Sequence, residues 1–215
     1  GRAVLASYWA ALLAPPRGPV RASDDGLAAP RHPQLLVVRG DGLWAELVEE
    51  TRGEHWSAGL EAFGVGLDDP LDAERGARGE RLPIGFDLEW ETGVGEFGEV
   101  HGDLLVARDR LVFDGTGRFA HEVVDHEPGR EESRRLSWQR RPDVGHTAHD
   151  DDVLIDVDAR GLPAAARVGS LSFLVAAVVV LPFEGRLTRA LVVGEAGCGW
   201  LDWYQPQRDV RCGSP

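Results

Sequence analysis

The residues whose types and spacing could do chemistry are densest in Asp114–His126, DGTGRFAHEVVDH. Arg118, His121, Glu122, Asp125 and His126 fall there within nine residues. An imidazole near a carboxylate is a candidate acid–base pair, because the carboxylate fixes the ring tautomer and favours its charged form. The stretch opens with an Asp-Gly turn signal. Read as a strand from Gly117, one face carries Phe119, His121, Val123 and Asp125, and the other Arg118, Ala120, Glu122, Val124 and His126. Four residues along a strand span about 13 Å. His121 and Asp125 therefore share a face without touching, and the spacing fits two ends of a pocket wall better than a dyad. Groups from other strands, such as His55, Glu61 or Asp202, are needed to complete a site. Asp125 or Glu61 is the expected proton donor, held protonated by an apolar pocket, with His121 and Arg118 orienting it. The plainer reading is a barrel strand whose polar groups are satisfied by its neighbours.

Other chemistries find less support. His55, His101, His121, His126 and Asp125 could converge as metal ligands, but no local metal-binding motif exists. Asp150–Asp152 lacks the glycine and glutamate spacing of a calcium loop. There is no nucleophile elbow, and neither Cys198 nor Cys212 has a histidine nearby in sequence. Gly93, Gly95 and Gly98 do not link a strand to a helix, so they form no nucleotide fingerprint. No metal and no cofactor are expected. The aromatic residues are more informative. Trp44, Trp56, Trp90, Trp138, Trp200 and Trp203 all fall on expected strands, where large rings beside small residues can shape an apolar cavity or simply fill a core. The expected ligand-binding set is His55, Trp56, Trp90, His101, Arg118, Trp138, Trp200, Asp202 and Tyr204.

These residues need elements to hold them. Leu5, Tyr8, Trp9, Leu12 and Leu13 recur at helical spacing within Arg2–Leu13, which predicts a short helix ended by Pro15 and Pro16. Residues 15–33 read as a connector. From Gln34 the pattern is β. Gly40-Asp41-Gly42 is a hairpin signal, and His55–Leu67 is one long strand. His55, Ser57, Gly59, Glu61, Phe63, Val65 and Leu67 share one face of it. Trp56, Ala58, Leu60, Ala62, Gly64 and Gly66 share the other, and the small residues imply a close approach. Ile84–Glu91 alternates cleanly, with Asp87, Glu89 and Glu91 on a solvated face. Leu171–Leu181 is too short to span a membrane and reads as a buried strand. Strands at regular intervals with hairpin turns predict an all-β antiparallel barrel or sandwich. A single barrel over 34–206 is favoured, since closure removes the edges, with a frayed tail at 207–215.

Composition sets the outer bounds. The chain has 215 residues, 43% hydrophobic, enough for one sizeable domain. Its net charge of -13 argues against nucleic acid and anionic membranes, which need clustered cations. Every basic residue is Arg, and Lys, Asn and Met are absent, the mark of a GC-rich, bacterial genome. Without Met, Gly1 reads as a processing or tag remnant. No secretory signal is legible, and the two cysteines form no disulfide framework, so a cytoplasmic location is expected.

Three stretches resemble the calycin-like family of hydroxyneurosporene synthases, or carotenoid 1,2-hydratases, and their bacterial relatives. They are EHWSAGLEAFGVGLDDP, EVHGDLLVARDRLVFDGTGRFAHEVVDH and the C-terminal GWLDW. Where that family carries a Trp-Gly pair, this chain has Val123-Val124. The resemblance implies a lipocalin-like barrel, an apolar polyene or isoprenoid-like ligand, and His121 with Asp125 as the acid–base residues. The expectation is thus one lipocalin-like barrel with a short N-terminal helix. It binds a hydrophobic small molecule, polyene, isoprenoid or polyketide-like, and adds acid-assisted hydration or cyclisation if it is an enzyme. A homodimer is compatible with this. The rivals are a non-catalytic carrier, a structural barrel, and a protein-interaction module using the N-terminal helix.

Overall fold

The computed structural model describes residues 5–13, 19–28, 35–75, 79–93, 97–119, 132–139, 145–182 and 185–206. They form fifteen strands and two short 3-10 helices, with no α-helix among the described residues. The strands make two curled antiparallel sheets in two compact units. Unit 1 comprises Gly1–Asp68 and Ala77–His121, and unit 2 comprises Asp69–Gly76 and Glu122–Pro215. The expected single barrel is therefore corrected to two half-barrel sheets. Alternation in sequence says which face of a strand is buried; it does not say which edges join.

Unit 1 holds eight strands: β1 (Leu5–Leu13), β2 (Pro19–Ala28), β3 (Leu35–Gly40), β4 (Leu43–Thr51), β5 (His55–Gly66), β6 (Glu80–Thr92), β7 (Phe97–Val106) and β8 (Asp109–Arg118). The order is β1-β2-β5-β6-β7-β8, with the β3–β4 hairpin joined to β5 through β4. The β3–β4 turn is the expected Gly40-Asp41-Gly42, and Gly42 takes the positive φ of 82° that this turn needs. One face is apolar. Leu43, Ala45, Leu60, Ala62, Leu82, Ile84 and Val106 are buried there, together with Ala10, Val20 and Ala22 from the first two strands. Burial also pushes the Tyr8 hydroxyl, packed against this cluster, up to a pKa of about 12.

Three expectations about unit 1 fail. The N-terminal helix is strand β1, paired with β2 from Leu5↔Ala28 to Leu13↔Pro19. From Tyr8 to Leu13 the register is unbroken, so Tyr8, Ala10 and Leu12 share one face and positions 9, 11 and 13 the other; apolar residues on both faces of a strand leave a spacing that looks helical. The connector at 15–33 contains that partner strand, with Val20 and Ala22 buried. The Asp114-Gly115 turn is likewise absent. Both residues lie inside β8, paired as His101↔Asp114 and Val100↔Gly115. A Cβ at Gly115 would meet the Phe113 ring at 2.6 Å, so glycine gives that ring its place.

Unit 2 holds β9 (Ser133–Gln139), β10 (His146–His149), β11 (Val153–Val157), β12 (Pro163–Val168), β13 (Leu171–Pro182), β14 (Gly185–Gly194) and β15 (Gly197–Pro206), in the order β10-β9-β15-β14-β13-β12-β11. The final strand β15 returns to lie between β14 and β9. Leu136, Trp138, Val153, Ala166, Phe173, Ala190, Val192 and Leu201 form the core. The 3-10 turn Pro70–Arg75 packs on β13 with Ala73 buried. Asp158 organises the β11–β12 turn by accepting the backbone N–H groups of Leu162 and Arg160. Those bonds, the Leu162 one foremost, hold its carboxyl below the usual range.

Candidate functional site

The second face of the unit 1 sheet is polar, and its register can be read in rows across five strands. One row is Val48–Ser57–Glu89–His101–Asp114. The next is Glu46–Gly59–Asp87–Asp103–Val112, followed by Trp44–Glu61–Gly85–Leu105–Arg110. Side chains in a row lie about 5 Å from their neighbours. In the last two rows glycine and carboxylate alternate diagonally: Gly59 faces Asp87, and Glu61 faces Gly85. The missing side chains leave a depression among filled positions.

That depression is an open groove of about 460 Å³. Its floor and apolar wall include Trp44, Gly59, Gly85, Phe86 and Leu105, and its rim carries Glu46, Glu61, Asp87, Asp103 and Arg110. The six-membered ring of Trp44 leans over Gly59, where a Cβ would come within 3.2 Å of it. Arg110 closes on Asp103 with two bonds, Nε to Oδ1 at 3.1 Å and Nη2 to Oδ2 at 2.5 Å. Hydrogen bonding from Arg110 holds the Asp103 carboxyl below its usual value, and Asp103 in turn raises Arg110. Glu46, Glu61 and Asp87 have no ion pair among the described residues. Among the described residues the rim thus carries four carboxylates against the Arg110 guanidinium, with Arg39 next to Trp44 in the same row.

The sequence-selected residues divide between faces and units. His55, Glu61, His101 and Arg118 lie on the polar face of unit 1. Glu61 lines the groove, exposed, without the apolar enclosure expected around it. His55 Nε2 sits 2.6 Å from a Glu89 oxygen, and His101 lies between Asp114 at 3.5 Å and Glu99 at 3.7 Å. Trp56 and Trp90 are a registered pair on the opposite face. Phe119 covers both, with ring centroids 4.7 Å from Trp56 and 5.6 Å from Trp90, so the aromatic group is self-filled. Trp90 also lies over Gly98 and Gly117, a registered pair.

The remaining residues belong to unit 2. Trp138 is buried in its core, 5.6 Å from the Phe173 ring and 5.4 Å from His146. Asp202, Trp200 and Tyr204 alternate along the other face of β15. Asp202 is held between Arg189 and Arg135, its partners on β14 and β9. His121 and Asp125, with Glu122 and His126, lie outside the described residues. Sequence reasoning missed Trp44, Glu46, Gly59, Gly85, Asp87 and Asp103 as one group. Each is ordinary alone, and only the cross-strand register assembles them.

Among the described residues no group of three or more His, Cys, Asp or Glu is placed to hold a metal ion, and no helix is long and apolar enough to cross a membrane. No protein-family model, curated protein or solved structure matches the chain.

Proposed function

We propose that this chain is a small-molecule-binding β protein, and that its ligand has an apolar body and a positively charged head. The supporting observation is the Trp44–Glu61 groove of about 460 Å³, where Gly85 leaves space beside an indole seated on Gly59 and beside carboxylates that have no ion pair among the described residues. An apolar body gains by covering Trp44 and Leu105, on the order of 25 cal/mol per Å² removed from water. A cationic head gains from Glu46, Glu61 and Asp87, and from the indole face. This keeps the hydrophobic ligand expected from the sequence and moves it from a barrel interior to an open sheet face. The reading is one of binding. Hydration or cyclisation is a further proposal that draws on Glu61, the candidate acid that lines the groove.

The test compares naphthylmethylamine, naphthylmethanol and naphthoate, which share an apolar body and differ in charge. The Trp44 indole N–H resonance, assigned with Trp44→Phe, reports occupancy. The amine should shift it most, and Glu61→Gln combined with Asp87→Asn should weaken the amine about tenfold, since each partly exposed charge contributes roughly 0.2–1 kcal/mol. Silence of Trp44 toward all three probes overturns the reading. Equal binding of alcohol and amine overturns its charge.

A further inference from the structure

Among the described residues strand β8 is an edge of the unit 1 sheet: it pairs with β7 alone, over ten residues from Phe97↔Arg118 to Val106↔Asp109. A strand edge presents unpaired N–H and C=O groups to any chain that can align with it. Edges are commonly blunted by brevity, proline, a bulge or charged side chains, and the charges of β8 stand on either side of its centre, at Asp109, Arg110, Asp114 and Arg118. β8 is long, contains no proline, and keeps an unbroken register with β7. Its centre is also apolar and open: Val112 is 86% exposed and Leu111 47%. An open concavity of about 680 Å³ lies along it, lined by Asp103, Arg110, Val112, Phe113 and Asp114 among others.

The sequence of this edge is complementary to itself. Around Val112 it reads Arg110-Leu111-Val112-Phe113-Asp114. Set antiparallel against a second copy with Val112 facing Val112, Arg110 falls opposite the partner copy's Asp114, and Leu111 opposite its Phe113. Two-fold symmetry repeats both pairings. Opposite charges and apolar pairs directly across an antiparallel ladder are the stabilising combinations. The Arg110 and Asp114 side chains are each 73% exposed, and Asp114, which already has partners within its own chain, His101 among them, would share its carboxylate with the partner copy's guanidinium. Arg110 keeps Asp103 through Nε and Nη2, which leaves Nη1 for the new contact.

We propose that two copies of this chain associate through β8, centred on Val112, to continue the unit 1 sheet across a two-fold axis. The contact is isologous, the commonest form of homodimer. One strand pair covers less surface than the roughly 1,600 Å² of a standard stable interface. The dimer is therefore reversible and depends on concentration.

Sedimentation equilibrium of the full chain tests this. The mass should rise toward twice that of one chain as concentration increases. Val112→Lys sets two like charges face to face at the axis, so it should remain a monomer with an unchanged far-ultraviolet spectrum and melting temperature. A second readout does not depend on that variant folding. In a Cys198→Ser, Cys212→Ser background, Val112→Cys should form a disulfide-linked dimer under mild oxidation, because facing residues in an antiparallel ladder have Cα atoms about 4.5–5.5 Å apart, within disulfide reach. Leu105→Cys, one strand inward, should not. A wild-type chain that stays monomeric at every concentration overturns the proposal. So does a dimer that survives Val112→Lys or links equally well through Leu105→Cys.

Discussion

Asp202 accepts two hydrogen bonds from Arg189 across the β14–β15 ladder, from Nε at 2.6 Å and from Nη2 at 2.9 Å. Arg135 reaches the same carboxylate at 3.4 Å from β9. One acid thus holds two guanidinium groups on three neighbouring strands, with its own side chain only 15% exposed. Without it, two like charges stand in adjacent positions with little water to screen them. Asp202→Asn should lower unfolding stability by about 2 kcal/mol. Breaking the exposed Arg167–Asp156 pair of the same sheet with Arg167→Gln should cost less than about 0.5 kcal/mol. Urea midpoints with unchanged slopes would measure both, and equal losses would count against the three-strand arrangement.

What the sequence made legible follows from what alternation encodes. The odd and even faces of β5 were readable because the strand pairs with β6 without a bulge from His55 to Gly66, so every residue keeps its side. β1 was not readable, because apolar residues stand on both of its faces and so leave a spacing that a helix shares. The groove was hidden for a different reason. Glu61 and Gly85 are opposite one another only through the pairing of β5 with β6, and a register between strands separated by a charged loop has no local signature. The Arg189–Asp202–Arg135 arrangement is hidden in the same way, since β9 and β15 are about as far apart in sequence as strands of unit 2 can be.

The Arg110–Asp103 pair makes a pH prediction with a definite sign. Hydrogen bonding from Arg110 holds Asp103 below its ordinary value of 3.8. A group whose folded-state value is depressed adds stability that is fully present above its unfolded value and is lost as pH falls through the folded one. The contribution should therefore be constant at neutral pH and disappear only below about pH 4. A carboxyl-carbon titration of Asp103 should give a midpoint under 3.8 in the wild type. Arg110→Gln should move it back toward that value. An unmoved midpoint would show that some other group sets it.

Trp90 lies across the β7–β8 ladder where Gly98 faces Gly117, and the absence of side chains there is what admits the indole. A Cβ at Gly98 would meet the backbone carbonyl of Glu91 and come within 2.6 Å of the Trp90 ring. Neither neighbour is the free end of a flexible chain, so both must shift. Gly98→Ala should cost about 3 kcal/mol, in the range of overpacked sites. Gly53 offers a control. Its φ of +71° is strained for other residues, but nothing lies within 4 Å of its Cβ position. Gly53→Ala should therefore cost only the backbone strain, about 1 kcal/mol. The Trp90 indole resonance should move in the first variant and stay fixed in the second. If Gly98→Ala costs no more than Gly53→Ala, the indole does not depend on the glycine pair beneath it.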